Sequence, residues 1–207
     1  MRLLIPAVLS GALLLTGCSA GTAIEGAQGP GLAKSAPDPA AGARIEGVQT
    51  FPYVTPDHQA KDYAYPQKPP VGGDHWPPSA GGVTGWLACG RYDREVPDEF
   101  AVHSMEHGAV WLTYRPGTPA EQVAVLAELA GVQRDYVLVT PYAGQPGAFG
   151  ATTWGAQLFV ESPDDPRLEQ FVRAFAGGDQ GREPGAPCAG GTSPEDAQAA
   201  LDAVSSS

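Results

Sequence analysis

Apolar and polar residues recur along most of the chain at spacings that predict both strands and helices. Alternating residues and runs of β-branched and aromatic residues predict strands, and apolar residues three and four apart predict helices. The predicted strands cover 44–53, 108–114, 136–140 and 153–160. In the last of them the residues on one side are Trp154, Ala156, Leu158 and Val160. The predicted helices cover 119–130, 166–176 and 194 onward. The pattern indicates an α+β fold, with a small mixed or antiparallel sheet covered on one face by two or three helices.

Short polar and proline motifs mark the ends of these helices. Thr118-Pro119-Ala120-Glu121 has the spacing of a capping box with proline at the first helical position. Asp165-Pro166 and Ser193-Pro194 begin the two later helices, and Gly177-Gly178 ends the first of these.

One long segment, 56–85, is dense in proline, glycine and aromatic residues and carries no strand or helix pattern. A loop of this length in a compact domain is usually functional or disordered. Disordered segments are poor in aromatic residues, whereas this one contains Tyr63, Tyr65 and Trp76. We therefore expect it to pack against the domain.

The amino terminus has the pattern of a secretory signal. Arg2 precedes an apolar run of about 13 residues, which is shorter than the roughly 20 residues of a spanning helix. Leu15-Thr16-Gly17-Cys18 resembles the lipobox of bacterial lipoproteins, in which the cysteine is lipidated and becomes the new amino terminus. We predict a signal peptide at 1–17, a lipidated flexible tether at 18–42 and one globular domain at 43–207. An uncleaved anchor is the alternative.

The charge of the chain argues against a nucleic-acid partner. Loss of Arg2 with the signal peptide leaves 11 basic residues against 23 acidic ones, a formal charge of −12. Polyanion binding requires clustered lysine and arginine, and no such cluster is present. The acidity is also what keeps many exported proteins soluble. The predicted partner is the membrane, through the lipid anchor on its outer face, and the sequence identifies no protein partner.

Two cysteines, Cys89 and Cys188, remain after Cys18 is assigned to the lipid. In an oxidising compartment we expect them to form a disulfide. A redox-active pair is the alternative, but the two cysteines lack the Cys-x-x-Cys spacing.

Three of the four histidines lie in two unusual motifs, and the fourth, His58, lies in polar loop. His75 ends a glycine-rich motif, and His103 and His107 flank Glu106. Neutral imidazoles and a carboxylate are ligands that zinc and copper accept. We predict a metal site of His75, His103, His107 and Glu106.

The identity of the metal depends on the conformation of 99–107. On a helix, His103, Glu106 and His107 share a face, which favours zinc. On a strand, Met105 would join the two histidines instead, which favours copper. Asp98 as a cap and Gly108 as a terminator favour the helix.

The same residues permit two other interpretations. His103-x-x-Glu106-His107 matches the pattern of inverted zinc peptidases, although those enzymes place it on a long helix with a distant third ligand. Alternatively, the histidines are structural and bond to backbone carbonyls or to neighbouring carboxylates.

Three motifs carry a family resemblance: YPQKPPVGGDH at 65–75, VHSMEHGAV at 102–110 and YRP at 114–116. Together they resemble the signature of the family called domain of unknown function 3105, over roughly 51–188. The resemblance implies an exported or membrane-anchored protein with a cysteine pair near Cys89 and Cys188, and it implies no activity. Leucine is common in the family where this chain has Met105, which argues against Met105 as a ligand.

Two classes of function follow from these residues. The first is a membrane-anchored extracytoplasmic lipoprotein that binds zinc or copper through a histidine cluster. The second is a non-enzymatic cell-envelope interaction protein with structural histidines. Catalysis is not indicated, because an enzyme also requires an open metal position and a cleft.

Overall fold

Six strands form one mixed sheet in the computed structural model, which describes residues 44–51, 54, 57–60 and 63–206. The strands are β1 (Gln49–Thr50), β2 (Gly90–Arg91), β3 (Val110–Tyr114), β4 (Val137–Pro141), β5 (Phe149–Thr153) and β6 (Ala156–Val160). The predictions for 1–42, including the signal peptide, the lipidated Cys18 and the tether, lie outside the described residues.

The strand order across the sheet is β1-β6-β5-β3-β4-β2. β4 runs parallel to both β2 and β3, whereas the β3–β5, β5–β6 and β1–β6 pairs are antiparallel. The fold is therefore α+β with a mixed sheet. Of the predicted first strand, 44–53, only Gln49–Thr50 pair in the described part, and β2 was not predicted.

The predicted strand 153–160 is confirmed over Ala156–Val160, which is β6, but its start is wrong. Residues 149–160 form the β5–β6 hairpin, and Trp154 lies in its turn rather than in a strand. Gly155 has a φ of +73°, which a glycine adopts without steric penalty and which allows this tight turn. The residue pattern failed because both faces of β5 are buried, so that no polar alternation marks the strand.

Four α-helices belong to the described part: α1 (Asp98–Glu106), α2 (Ala120–Ala130), α3 (Pro166–Phe175) and α4 (Pro194–Ser205). Asp165 caps α3 by accepting a hydrogen bond from the Arg167 amide, and Ser193 caps α4 in the same way from Asp196. The predicted capping box at α2 is wrong. Its N-cap is Pro119, which has no capping side chain, and the Thr118 hydroxyl instead donates to the Arg115 carbonyl at 2.6 Å.

Both faces of the sheet are covered, which corrects the prediction of a single covered face. Val110, Leu112 and Tyr114 of β3 pack with α2 and α3 in one apolar cluster. Trp111, from the same strand, packs in a second cluster with residues of α1, α4 and the long loop. Since successive side chains of a strand point to opposite faces, the fully apolar start of β3 requires cover on both sides.

The long loop packs against α1, as its aromatic residues indicate. Trp76 is fully buried and stacks on Phe100 of α1 with ring centroids 5.1 Å apart. The Tyr65 hydroxyl donates to the Asp74 carbonyl at 2.6 Å, which ties the loop to itself. These contacts bring the glycine-rich motif over the helix that carries two of the histidines.

A disulfide joins Cys89 to Cys188, with Cα atoms 5.4 Å apart. It holds the segment before α4 against the segment before α1, and two backbone hydrogen bonds run beside it, Cys89 N to Cys188 O and Ala88 N to Thr192 O. Within the described ranges, no helix combines the length and the apolar character of a membrane span.

Candidate metal centre

Helix α1 presents His103 and Glu106 on one face, as the helical alternative predicts. The two residues lie three apart, so their side chains are neighbours on the helix surface. Met105 is fully buried in the apolar cluster that contains Trp111. The helical conformation thus rules out the strand alternative, and with it the copper site in which Met105 and the histidines share one face.

The long loop places two further imidazoles against Glu106. His58 and His75 pair as a parallel bridge, in which His75 N donates to Asp57 O and Gln59 N donates to His75 O, both at 3.0 Å. His75 Nε2 lies 3.0 Å from Glu106 Oε2, and His58 Nε2 lies 3.4 Å from the same oxygen. His75 was predicted as a ligand, whereas His58 was not.

We call His58, His75, His103 and Glu106 the inner group. Each residue offers one ligand atom, and these four atoms all lie within 4.8 Å of one another. In a tetrahedral site with bonds of about 2.1 Å, ligand atoms are about 3.4 Å apart. Both distances to Glu106 are close to this value, so the inner group could hold a metal ion after small side-chain movements.

Hydrogen bonds to backbone carbonyls set the tautomers of three rings. His75 Nδ1 lies 2.8 Å from Gly73 O, and His103 Nδ1 lies 2.7 Å from Trp76 O. His107 Nδ1 makes the same contact with Pro187 O at 2.9 Å. A carbonyl only accepts hydrogen bonds, so each Nδ1 donates, and each neutral ring carries its lone pair on Nε2. Metal-ligating histidines are commonly held in this way.

In neutral rings, the Nε2 lone pairs of His75 and His103 accept no hydrogen bond from the described residues. If His75 is neutral, its Nε2 lone pair faces the Glu106 carboxylate at 3.0 Å, where neither atom has a hydrogen to donate. His103 Nε2 is buried and has no hydrogen-bond partner among the described residues. Either additional protons or a cation must balance this arrangement.

The protonation of two members favours ligation. Burial, and next the charge of His75, lower the pKa of His103 to about 3, so its Nε2 lone pair is retained at neutral pH. Burial raises the pKa of Glu106, but the hydrogen bond with His75 and the charges of the surrounding histidines, when those rings are protonated, lower this pKa by more than burial raises it. The net direction favours the carboxylate form of Glu106, which is the form that binds a cation.

Gly85 allows the close packing around His103. A Cβ at this position would lie 2.5 Å from Pro77 O and 2.7 Å from both His103 Nδ1 and Cε1. The long loop therefore supplies a hydrogen-bond partner, Trp76 O, and a close backbone contact for the same ring. Together these contacts hold the ring of His103 and leave Nε2 as its nitrogen without a hydrogen-bond partner in the described part of the chain.

His107 does not join the inner group, which corrects the prediction that His75, His103 and His107 converge on one point. His107 follows the last residue of α1 and lies near Glu183, with 3.4 Å between Nε2 and Glu183 Oε2. His103, His107 and Glu183 form a second set of ligand atoms within 4.8 Å of one another, which we call the outer group. Residues four apart differ by about 40° around a helix, and the two rings are edge-to-face at 4.9 Å.

Sequence reasoning missed His58 and Glu183, because neither lies in a motif with ligand spacing. His58 reaches Glu106 through the bridge with His75. Glu183 is held near His107 by a backbone hydrogen bond from its own amide to Glu106 O at 3.1 Å. Gly181 permits this approach, since a Cβ there would lie 2.1 Å from Glu106 O.

The fold and the site define an α+β domain with a largely buried cluster of histidines and a glutamate between a sheet-packed helix and a long loop. Residues 58–190 match the family described as "Protein of unknown function (DUF3105)". This match covers more than half of the chain, so the protein belongs to that family. It spans His58 to Glu183 and both bonded cysteines, and therefore includes the inner and outer groups in full. No curated protein and no solved structure matches the chain.

Proposed function

We propose that this protein is a lipid-anchored extracytoplasmic protein that binds a transition metal ion through His58, His75, His103 and Glu106. The observation that carries the proposal is the convergence of three imidazoles and a carboxylate in a largely buried space, with His103 Nε2 lacking any other partner in the described part of the chain. A cation there would balance the uncompensated lone pairs and the Glu106 charge.

The donor set favours zinc over copper. Three imidazole nitrogens and one carboxylate oxygen form a common four-coordinate zinc site. Soft sulfur ligands favour Cu(I), and the inner group contains none, because Met105 is buried elsewhere. Copper(II) also accepts imidazole and carboxylate ligands, so both ions belong in the test.

Elemental analysis tests the proposal. The full chain, purified in detergent without an affinity tag, is dialysed against zinc or copper(II), and bound metal is counted per chain. We expect one ion per chain in the wild type and none in a His58→Ala/His75→Ala/His103→Ala variant. Glu121→Gln, at an exposed position on α2, is the matched control and should keep one ion. Circular dichroism of each variant establishes that the fold is retained.

The tautomer-setting hydrogen bonds also support a second candidate, a non-enzymatic cell-envelope interaction protein with structural histidines. In this alternative His75 is a charged imidazolium that joins Gly73 O to Glu106, so that both ring nitrogens are satisfied without a metal. This alternative predicts that the wild-type chain binds no more metal than the triple variant does. One ion in the wild type and none in the variant would exclude it.

The anchor is the second part of the proposal and rests on the sequence of residues 1–18. We propose that Cys18 is lipidated and holds the domain at the outer face of the cell membrane. In cells given labelled palmitate, the wild-type chain should carry the label and fractionate with membranes. A Cys18→Ser variant should carry no label, and equal labelling of the two chains would refute lipidation.

A further inference from the structure

The outer group shares His103 with the inner group, and this sharing limits how the two can be occupied. His103 Nδ1 is committed to Trp76 O at 2.7 Å, so Nε2 is the one nitrogen left for a metal. A single lone pair ligates one ion at a time. The inner and outer groups therefore offer alternative positions for one ion rather than independent sites for two.

The outer group has fewer ligands and a more exposed member. It contains two imidazoles and one carboxylate, against three imidazoles and one carboxylate in the inner group. Glu183 is 44% exposed, whereas His58, the most exposed member of the inner group, is 35% exposed, and His103 and His107 are buried. An ion at the outer position is thus held by fewer protein atoms and keeps contact with solvent through Glu183.

A hydrogen bond to a backbone carbonyl sets the tautomer of His107, as it does for His75 and His103. Its Nδ1 donates to Pro187 O, and its Nε2 lone pair therefore faces the Glu183 carboxylate at 3.4 Å when the ring is neutral. The buried His103 Nε2, unpartnered among the described residues, is a ligand position that the two groups share.

Trp86 lies against the two outer-group rings. Its ring centroid lies 4.8 Å from that of His107 and 5.8 Å from that of His103. Glu183 is the exposed member of the outer group, and its carboxylate can attract a cation from solvent.

We propose that His107 and Glu183, with the shared His103, form an exchange position through which a divalent metal ion enters and leaves the inner group. The inference rests on the proposed function, because it assumes that the inner group binds the ion. In this arrangement the ion moves between the two groups by exchanging the ligands that accompany His103, and the loop stays folded.

Zinc exchange in the full chain tests the proposal. Equilibrium affinity is measured by competition with a chromophoric chelator, and the rate of zinc removal is measured with an excess of the same chelator. For Glu183→Gln we expect a removal rate at least about tenfold lower, because the outer position loses its charged ligand, and an affinity within about threefold of the wild type. His58→Asn, which alters the inner group alone, should weaken the affinity by about tenfold or more. Glu121→Gln should change neither quantity.

Each other outcome overturns the proposal in a distinguishable way. A wild-type chain that takes up two zinc ions, and a Glu183→Gln variant that takes up one, would make the outer group an independent site. Unchanged removal rates in both Glu183→Gln and His107→Asn, with one ion bound, would mean that the outer group is not on the exchange route. A wild-type chain that binds no zinc would refute the proposed function itself.

Discussion

The substitution Glu106→Gln separates the metal-binding and structural explanations of the histidine cluster, because the two predict opposite effects on the metal-free fold. If the rings are neutral ligands, the carboxylate faces the His75 lone pair at 3.0 Å in the metal-free chain. A glutamine amide can donate to that lone pair. A hydrogen bond of this kind contributes about 1 kcal/mol, so the free energy of unfolding of the variant should equal or slightly exceed that of the wild type.

The structural explanation gives the other sign. If His75 is an imidazolium, Glu106 is its buried partner, and removing one member of a buried ion pair lowers the free energy of unfolding by about 3–5 kcal/mol. Because His75 is fully buried, solvent cannot compensate the charge that remains on its ring. The difference between the two explanations is therefore several times larger than the usual error of such a measurement.

The assay is chemical denaturation of the chelator-treated chain at pH 6, where an imidazolium is retained more readily than at higher pH, repeated with added zinc. Zinc at about one hundred times its dissociation constant stabilises the folded state by about 2.7 kcal/mol, and this increment should be present in the wild type and smaller in Glu106→Gln, which loses one of four ligands. A loss of 3 kcal/mol or more in the metal-free variant, with no zinc increment in the wild type, would refute the reasoning. Glu121→Gln serves again as the exposed control.

Three further predictions concern the rest of the domain. The Cys89–Cys188 disulfide closes a loop with a sequence separation of 99. Its loss should lower the free energy of unfolding by about 4–5 kcal/mol in the chain-entropy model, measured by urea denaturation of the wild type and of the Cys89→Ser/Cys188→Ser variant. Burial raises the pKa of Asp98 from 3.8 to about 7, so the folded state binds the proton more tightly than the unfolded state, and the free energy of unfolding falls as pH rises from about 4 to 7. Asp98→Asn should therefore be more stable than the wild type above pH 7, by at most about 4 kcal/mol, and should lose this advantage below pH 4. Gly85→Ala should lower stability by about 1–3 kcal/mol and weaken zinc binding, because its Cβ would displace the ring of His103; unchanged melting and affinity would contradict this.

Local signals in the sequence predicted the elements whose ends carry a chemical marker. Asp165 and Ser193 cap their helices because a short side chain with an oxygen, followed by proline, satisfies an amide that the helix leaves free. The same reasoning failed at Thr118, where the hydroxyl has a closer partner in the Arg115 carbonyl. Capping motifs therefore predict helix starts well, provided that no neighbouring acceptor competes.

The candidate site also contains residues that local sequence signals predicted and residues that they did not. The placement of His103 and Glu106 on one face follows from the helical period alone. The short helix was predicted from Asp98 and Gly108, but Asp98 is its first residue rather than its cap, and the N-cap is Pro97, which has no capping side chain. The contributions of His58 and Glu183 could not be predicted, because each depends on a hydrogen bond to a residue distant in sequence. His107 was assigned to the wrong group, since spacing on a helix does not tell which loop will pack against its last turn.

By itself the sequence determined the α+β class, the amphipathic helices, the packed character of the long loop and the imidazole and carboxylate chemistry of the cluster, because these properties depend on residue type and short-range periodicity. Only the tertiary structure decided that both faces of the sheet are covered, that residues 149–160 turn back as a hairpin, and that four histidines are divided between two groups joined by His103. These features depend on contacts between segments far apart in the chain, and local residue patterns carry no record of which distant segments will meet.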